Sequence, residues 1–163
     1  MFWTIRAVIE IKRVRGDSAP ARAIVRAMED WVTANFGPTT PDRTSTVRPE
    51  EMVPPDGVFV LVVDGERVVA GGGIRRLDDR VGEIKRMFVM EDARGQGHAR
   101  RLLEGLEAAA VDLGYERLRL DTAQSMTTAM GLYRRAGYRN IPDYNGNSYA
   151  SFWGEKVLAQ RTV

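Results

Sequence analysis

The order of apolar and polar residues along the chain predicts alternating strands and helices. Residues 5–14 partly alternate between the two classes, which is typical of a first strand. Asp17 or Ser18 suits the N-cap of a following helix, with Pro20 in its first turn. Apolar residues then recur every three or four positions up to a closing Gly37: Ile24, Val25, Met28, Trp31, Val32 and Phe36.

The middle of the chain predicts a β-hairpin. Residues 58–63 and 67–77 are rich in β-formers, and Asp64 and Gly65 between them favour a tight turn. Three glycines at positions 71–73 interrupt the second strand, which indicates a bulge, a close approach of another group, or a simple bend. Residues 38–57 contain five of the seven prolines and predict a long surface loop that includes one short helical turn near Glu50.

The second half of the chain continues the alternation of strands and helices. A turn at Asp78 and Asp79 leads into a strand that ends at Val89. The next apolar positions lie on one face of a helix: Leu102, Leu103, Leu106, Ala109, Ala110 and Leu113. Further patterns predict a strand over 115–122, a helix over 126–136 and final strands over 138–141 and 149–158. The order predicts a mixed α/β protein built on one twisted sheet.

Composition narrows the class of protein. A chain of 163 residues with 44% hydrophobic content suits one domain over 1–163. No apolar run is long enough to cross a membrane, and Arg6 and Glu10 interrupt the apolar start that a signal peptide needs. The absence of cysteine excludes disulfides, a zinc–thiolate site and a cysteine nucleophile. We therefore expect a cytoplasmic protein without a membrane or metal partner.

Charge gives no sign of nucleic-acid binding. The net charge is only +2, and the basic residues are interspersed with acidic ones. A local cluster of arginines nevertheless flanks one turn, since Arg94, Arg100 and Arg101 lie close together in the sequence. We expect no nucleic-acid partner. For Arg94, Arg100 and Arg134 we weigh a contact with a phosphate, whose geometry arginine matches, against a solvated helix face. For Arg101 and Arg135 we prefer the solvated face.

The segment from Arg94 to Ala99 lies between an apolar strand and a helix start. Backbone N–H groups at a helix N-terminus attract phosphate, and glycines such as Gly95 and Gly97 let the backbone approach it. The third glycine of a dinucleotide fingerprint is replaced by Arg100, and the chain has no P-loop triplet. The turn therefore predicts a phosphorylated cofactor of unspecified identity, with a plain helix-start turn as the alternative.

Three blocks of sequence resemble the GNAT superfamily of acyl-CoA N-acyltransferases. Arg94-x-x-Gly97-x-Ala99 fits its (Gln/Arg)-x-x-Gly-x-(Gly/Ala) signature. Residues 83–89 resemble its fourth strand and residues 129–138 its last helix, in the family's order and spacing. The resemblance implies one mixed, mostly antiparallel twisted sheet of about seven strands flanked by helices. One departure is Met126, where many relatives have asparagine.

The resemblance also implies an activity. It predicts transfer of an acetyl group from acetyl-CoA to a primary amine of a small-molecule acceptor. A protein N-terminus or lysine is the alternative acceptor, and a non-catalytic acyl-CoA-binding domain is the alternative function. The expected cofactor-binding residues fall into three groups. The strand contributes Met87, Phe88 and Val89. The turn contributes Gly95, Gln96, Gly97, His98 and Ala99. The basic side chains are Arg94, Arg100 and Arg134.

Attack of an amine on a thioester needs a proton acceptor, because an alkyl amine is mostly protonated at neutral pH. An acid assists departure of the thiolate. The resemblance makes Tyr133 the candidate acid, with simple core packing as the alternative. Glu83 is the candidate base, with a surface ion pair to Lys85 or an arginine as the alternative. Glu51, Asp121 and water are weaker candidates for the base.

Other polar and aromatic residues have less specific predictions. His98, the single histidine, is expected to face solvent and to take no part in the chemistry. Trp153 on the last strand suits either a homodimer contact or the core. The acceptor site is expected between the 38–57 loop and the final strands. A turn at Asn145-Gly146-Asn147 and its neighbours Asp143 and Tyr144 are candidates for polar contacts there.

Overall fold

A computed structural model describes residues 7–40, 46–123 and 127–160. In these ranges seven strands and three helices follow one another. The strands are β1 Ile9–Val14, β2 Val58–Asp64, β3 Arg67–Arg76, β4 Val81–Val89, β5 Arg117–Thr122, β6 Arg139–Asn140 and β7 Phe152–Val157. The helices are α1 Ala19–Phe36, α2 His98–Asp112 and α3 Thr127–Arg135. Ile5 and Met126, expected at the ends of β1 and α3, lie outside the described residues.

All seven strands belong to one sheet, in the order β1-β2-β3-β4-β5-β7-β6. Neighbouring strands are antiparallel except for β4 and β5, which are parallel. This is the predicted fold class, a mixed and mostly antiparallel sheet with helices beside it. The parallel pair is joined by α2, as a parallel connection requires a crossover.

The parallel pairing between β4 and β5 is short. It joins Val81 to Arg117, Gly82 to Leu118 and Glu83 to Arg119, and it ends there. Beyond Glu83 the two strands diverge, although β4 continues to Val89. The backbone of β4 that faces the gap therefore has no partner from β5, and the gap opens a cleft in the sheet.

The three consecutive glycines lie opposite a bulge in β4. Gly71 pairs with Phe88 and Gly73 with Lys85, so two residues of β4 lie opposite the single Gly72. One of those two residues is Arg86, whose φ is +60°. Of the interpretations that the glycines left open, the structure has the bulge rather than a simple bend, and the extra residue belongs to the partner strand.

Close packing explains the glycines themselves. A Cβ on Gly71 would lie 2.8 Å from side-chain atoms of Ile24 and Phe59. A Cβ on Gly73 would overlap the sulfur of Met52. Other groups therefore also approach this strand closely, as the second of the open interpretations had it.

Strand β2 is buried on both faces, so its sequence is a continuous apolar run. Val60 and Val62 pack with α2, while Phe59 and Leu61 pack with α1. The expected surface loop over 38–57 contributes to the second group, because Val47 and Met52 are buried there. The loop also contains the predicted helical turn, at Pro49–Glu51.

Candidate active site

A cleft of about 470 Å³ lies where β4 and β5 diverge. Its walls come from the bulged part of β4, the end of β5, helix α3, and the loop 145–149 before β7. Residues from the 38–57 loop, Thr46 and Val47, line another side. The predicted acceptor walls and the predicted cofactor strand therefore meet at one cleft.

Tyr133 lines this cleft from helix α3. Its side chain is buried, and its hydroxyl lies 3.5 Å from the sulfur of Met87 on β4. The ring packs against Tyr138 at a centroid distance of 5.9 Å. Burial, with a smaller effect from the charge of Asp121, raises the pKa of Tyr133 well above its ordinary value. The phenol is therefore a neutral proton donor at the cleft.

Glu83 is fully buried at the point where the pairing of β4 with β5 ends. One carboxylate oxygen accepts a hydrogen bond from Arg75 Nε at 2.8 Å, and the other accepts from the Tyr144 hydroxyl at 2.6 Å. Lys85 Nζ is 3.6 Å from the second oxygen. The alternative prediction for Glu83 was a surface ion pair with Lys85 or an arginine. Both partners are present, but the ion pairs lie inside the protein rather than on its surface. Both oxygens of Glu83 are covered by these side chains.

Arg75 connects Glu83 to a second carboxylate and was not among the predicted site residues. Its Nη1 donates to Glu51 at 3.0 Å. Burial alone would raise the pKa of Glu51, but a hydrogen bond from the backbone N–H of Arg48 and the guanidinium of Arg75 lower it overall. An arginine within a strand is an ordinary surface residue by pattern, so only the fold reveals this bridge.

Asp121 lines the cleft from β5. Lys85 Nζ lies 3.1 Å from one carboxylate oxygen, and the amides of Asn145 and Asn147 donate to the other at 2.7 and 2.9 Å. Burial would raise the pKa of Asp121, yet the charge of Lys85 and these two amides lower it overall. Asp121 therefore remains ionised and holds the loop before β7.

The predicted turn in that loop is confirmed. The Asp143 side chain accepts hydrogen bonds from the backbone N–H groups of Asn145 at 2.9 Å and Gly146 at 2.7 Å. Trp153, a candidate for a homodimer contact or for the core, is partly buried, and its indole N–H donates to Asn145 Oδ1 at 3.0 Å. Asn145 therefore contacts the indole from the loop.

The glycine turn lies at the other end of β4, just before α2. Gly95 and Gly97 have φ values of +77° and +81°, a conformation that favours glycine, and both are exposed. Arg101 Nη1 donates to the carbonyl of Gln96 at 2.7 Å and closes the turn from within the helix. The helix N-terminus is therefore open to solvent, as an anion site requires.

Arg94, Arg100 and Arg134 are all exposed, and they have different surroundings. Arg94 donates from Nε to the carbonyl of Val89 at 3.2 Å, and its guanidinium lies 4.4 Å from the ring centre of Trp31. Arg100 pairs with Glu104 at 3.0 Å one helical turn away. Arg94 therefore braces the turn against α1, whereas Arg100 projects from α2.

Comparison with known proteins decides the family. The model of the Acetyltransferase (GNAT) family matches residues 25–138, which is more than half of the chain. The chain belongs to the GNAT family of acetyltransferases. The match contains the divergence of β4 and β5, the glycine turn and Tyr133. GNAT acetyltransferases use acetyl-CoA and act on amine acceptors.

Curated relatives agree with this assignment. The chain is 35% identical over 113 residues to an IAA acetyltransferase of Azospirillum brasilense, covering 67% of this chain and 73% of the relative. It is 25% identical over 149 residues to YsnE, an uncharacterized N-acetyltransferase of Bacillus subtilis, covering 88% and 99%. The protein is accordingly an N-acetyltransferase.

Solved structures share the fold. An acetyltransferase of the GNAT family from Staphylococcus aureus superposes with a TM-score of 0.74 at 17% identity, covering 93% of this chain and all of that one. PaiA N-acetyltransferase from Thermoplasma acidophilum, solved in complex with coenzyme A, gives a TM-score of 0.69 at 16% identity, covering 92% and 99%. At these identities the likeness concerns the fold alone.

One prediction for the GNAT turn was wrong. His98 does not face solvent: its side chain is 3% exposed, and neither ring nitrogen has a hydrogen-bond partner among the described residues. The reason is its helical position. His98 begins α2 four residues before Leu102 and eight before Leu106, so it belongs to the buried face of that helix.

The described residues of this GNAT chain form neither a metal cluster nor a membrane-spanning helix. Within residues 7–40, 46–123 and 127–160, no three histidine, cysteine or acidic side chains are grouped so as to hold a metal ion. No helix in that part of the chain has the length and apolar character to cross a membrane.

Proposed function

We propose that the protein transfers an acetyl group from acetyl-CoA to the primary amine of a small molecule by direct attack on the thioester. The observation that supports this most is the cleft between β4 and β5, which joins Tyr133, the unpaired edge of β4 and the predicted acceptor walls. Family membership supplies the donor, since GNAT acetyltransferases use acetyl-CoA.

We propose that the cofactor lies along β4 with its pyrophosphate at the glycine turn. Backbone groups of β4 beyond Glu83 have no partner from β5, so a pantetheine amide can hydrogen-bond there. The exposed turn offers backbone N–H groups at the start of α2. The residues in these roles are Met87, Phe88 and Val89 for the arm, and Arg94, Gly95, Gln96, Gly97, His98, Ala99, Arg100 and Arg134 for the phosphates.

For the reaction itself, we propose Tyr133 as the acid. The amine nitrogen attacks the thioester carbon, the C–S bond breaks, and the departing sulfur takes the proton of the Tyr133 hydroxyl. The raised pKa keeps Tyr133 protonated but makes it a weaker acid, so its first role is to donate a hydrogen bond to the sulfur as charge develops there. After each turnover Tyr133 regains a proton from solvent, and the base that received the amine proton releases one to solvent.

We propose Glu83 as the group that finally receives the amine proton. Its oxygens are covered, so the proton reaches it through the Tyr144 hydroxyl, which donates its own proton to Glu83 as it accepts one from the amine or an intervening water. Asp121 and Glu51 are less suited, because each has a lowered pKa and is a weaker base. The charge of Lys85 and two amide hydrogen bonds lower the pKa of Asp121. Hydrogen bonds from Arg48 and Arg75 lower the pKa of Glu51.

Release of free CoA in the presence of a panel of small amines tests this function. We expect amine-dependent release with at least one small acceptor and no comparable rate with a lysine-containing or N-terminally free peptide. A panel in which only the peptides stimulate release would replace the small-molecule acceptor with a protein one.

A further inference from the structure

Arg86 has an unusual backbone conformation. It is the single non-glycine residue in the described part of the chain with a positive φ, at +60°. Such a conformation persists in a bulky residue only where the surrounding structure imposes it, and it is frequent at functional sites. The bulge in β4 imposes it here, and the Arg86 side chain lines the cleft while only 11% exposed.

Among the described residues, three cations line this cleft, and two of them are already neutralised. Arg75 contacts Glu51 at 3.0 Å and Glu83 at 2.8 Å. Lys85 contacts Asp121 at 3.1 Å and Glu83 at 3.6 Å. Each of these cations therefore has two carboxylate partners from the protein, so neither is well placed to bind an added anion.

Arg86 differs from the other two cations. A guanidinium carries five N–H donors. In the described part of the chain the Arg86 guanidinium donates one side-chain hydrogen bond, from Nη1 to a carboxylate oxygen of Glu29 on α1 at 3.2 Å. Glu29 is 51% exposed, so water competes with this ion pair and weakens it. Arg86 is therefore largely shielded from solvent and still has N–H donors available for a ligand in the cleft.

We infer that Arg86 binds an anionic oxygen group of the acceptor, so that the acceptor is an amine that also carries a carboxylate or a phosphate. The planar fork of a guanidinium matches both groups. Among the described residues, a single acidic side chain, Asp121, lines the cleft beside the three cations, and it is occupied by Lys85 and two amides. This inference rests on the proposed function and specifies its substrate class.

The experiment compares paired acceptors with the wild-type enzyme and Arg86→Gln. The pairs are an amino acid with its amide, and an aminoalkyl phosphate with the corresponding amino alcohol. Glutamine, like arginine, has a side chain, so it leaves the backbone strain of the positive φ in place while it removes the charge. We expect KM for the anionic member to rise about 10-fold or more, the range for a lost charged hydrogen bond. KM for the neutral member and for acetyl-CoA should stay unchanged.

Glu29→Gln is the matched control, because it removes the partner of Arg86 and keeps the guanidinium. KM for anionic acceptors should stay the same or fall in this variant. A purely structural ion pair would make both variants behave alike and would overturn the inference. The inference also fails if Arg86→Gln raises KM equally for charged and neutral acceptors, or raises KM for acetyl-CoA instead.

The same acceptor assays distinguish failure of this inference from failure of the proposed function. If the wild-type enzyme acetylates neutral amines as readily as their anionic partners, the acceptor class is wrong and acetyl transfer to small amines stands. If it acetylates no member of either pair and only peptides, both proposals are wrong. Preference for the carboxylate or the phosphate pair identifies which anion Arg86 binds.

Discussion

Tyr133 combines burial with a position on the cleft, which suits a group that must hold a proton until the reaction needs it. Its hydroxyl contacts only a thioether at 3.5 Å, a weak acceptor, so the proton is not committed to a strong partner among the described residues. Neighbouring Tyr138 is also buried, but its hydroxyl donates to Glu107 at 3.1 Å. The two tyrosines therefore form a natural pair of test and control.

Tyr133→Phe should lower kcat by ~100-fold or more, because the departing thiolate loses its proton donor. Dissociation of acetyl-CoA, measured by calorimetry, should change little, since the ring is preserved. Tyr138→Phe should leave kcat within a few-fold of the wild type. Equal loss in both variants would mean that packing of the two rings, rather than proton donation, is what matters.

Glu83→Gln should remove the acidic limb of the pH profile of kcat/KM, because the amide no longer titrates as a proton acceptor. Glu51→Gln is the matched control, since it removes the other carboxylate that contacts Arg75. The limb should persist in that control. A limb that survives in Glu83→Gln would assign the base to water or Asp121.

Single residues were the hardest part to predict from sequence. Glu83 is covered by Arg75, which lies opposite it on the neighbouring strand β3, and by Tyr144, which is distant in the chain and meets it only through the fold. His98 is different, because its four-residue spacing to Leu102 was visible in the sequence. For His98, helical spacing predicts burial correctly, whereas the usual polarity of histidine does not.

Among the elements, the loop before β7 depends on a carboxylate that belongs to another strand. Asp121 on β5 accepts from the amides of Asn145 and Asn147, and Lys85 on β4 completes its contacts. The loop thus reaches across the divergence of the two strands. Because an ionised carboxylate holds this loop, the contribution of the loop to stability should depend on pH.

Asp121→Asn should lower the free energy of unfolding at pH 7 by about 1–3 kcal/mol, the cost of lost hydrogen bonds to a buried charge. The folded-state pKa of Asp121 is lowered, so this stabilisation is present above the ordinary aspartate pKa of about 3.9. It is lost as pH falls from there through the lowered folded-state pKa. Urea unfolding at pH 7 and pH 3 should show the difference between variant and wild type shrinking in acid.

Asp92→Asn is the control for this measurement, because its ion pair with Arg67 is largely exposed and screened by solvent. Its effect at pH 7 should be small. A difference between wild type and Asp121→Asn that stays constant or grows in acid would show that the loop is not held by the ionised carboxylate.

The bulge of β4 shows what an element's sequence leaves open. Consecutive glycines at 71–73 predicted an irregularity, and the structure has one, but the inserted residue is Arg86 on the facing strand. The register between two strands depends on the sequences of both strands and on the helices that cover them. No pattern within residues 81–89 marks Arg86 as the inserted residue.

For the whole molecule, the central strands form a partition between two apolar clusters. Ile24, Phe59 and Met52 belong to the cluster beside α1, and their side chains lie close to the backbone of β3 at Gly71 and Gly73. The absence of side chains at these glycines lets the cluster close against β3. Stability of the whole chain should therefore be sensitive there.

Gly73→Ala should lower the free energy of unfolding by about 1–3 kcal/mol, because the added methyl group overpacks against Met52 and Phe59. Gly131→Ala is the control, since a Cβ there meets only the flexible end of Arg135 in helix α3. That variant should be neutral or slightly more stable. Denaturant unfolding that ranks the two variants in the opposite order would contradict the packing described here.

At this scale the sequence predicted most of what the structure shows. Element order and the mixed sheet followed from periodicity together with three blocks that resemble the GNAT family, and both are confirmed. The buried Met52 was not predicted, because a proline-rich segment with few apolar residues is normally a surface loop. One domain over 1–163 and a homodimer remain predictions.

Direct acetyl transfer is tested most directly by a single turnover followed by mass spectrometry. Excess enzyme is mixed with acetyl-CoA and an acceptor amine identified by CoA release, and every product is quantified. We expect one acetylated amine for each free CoA, and no acetylated protein when the amine is left out. Acetyl groups that remain on the protein, or that appear as free acetate in place of acetylated amine, would contradict direct transfer in this cleft.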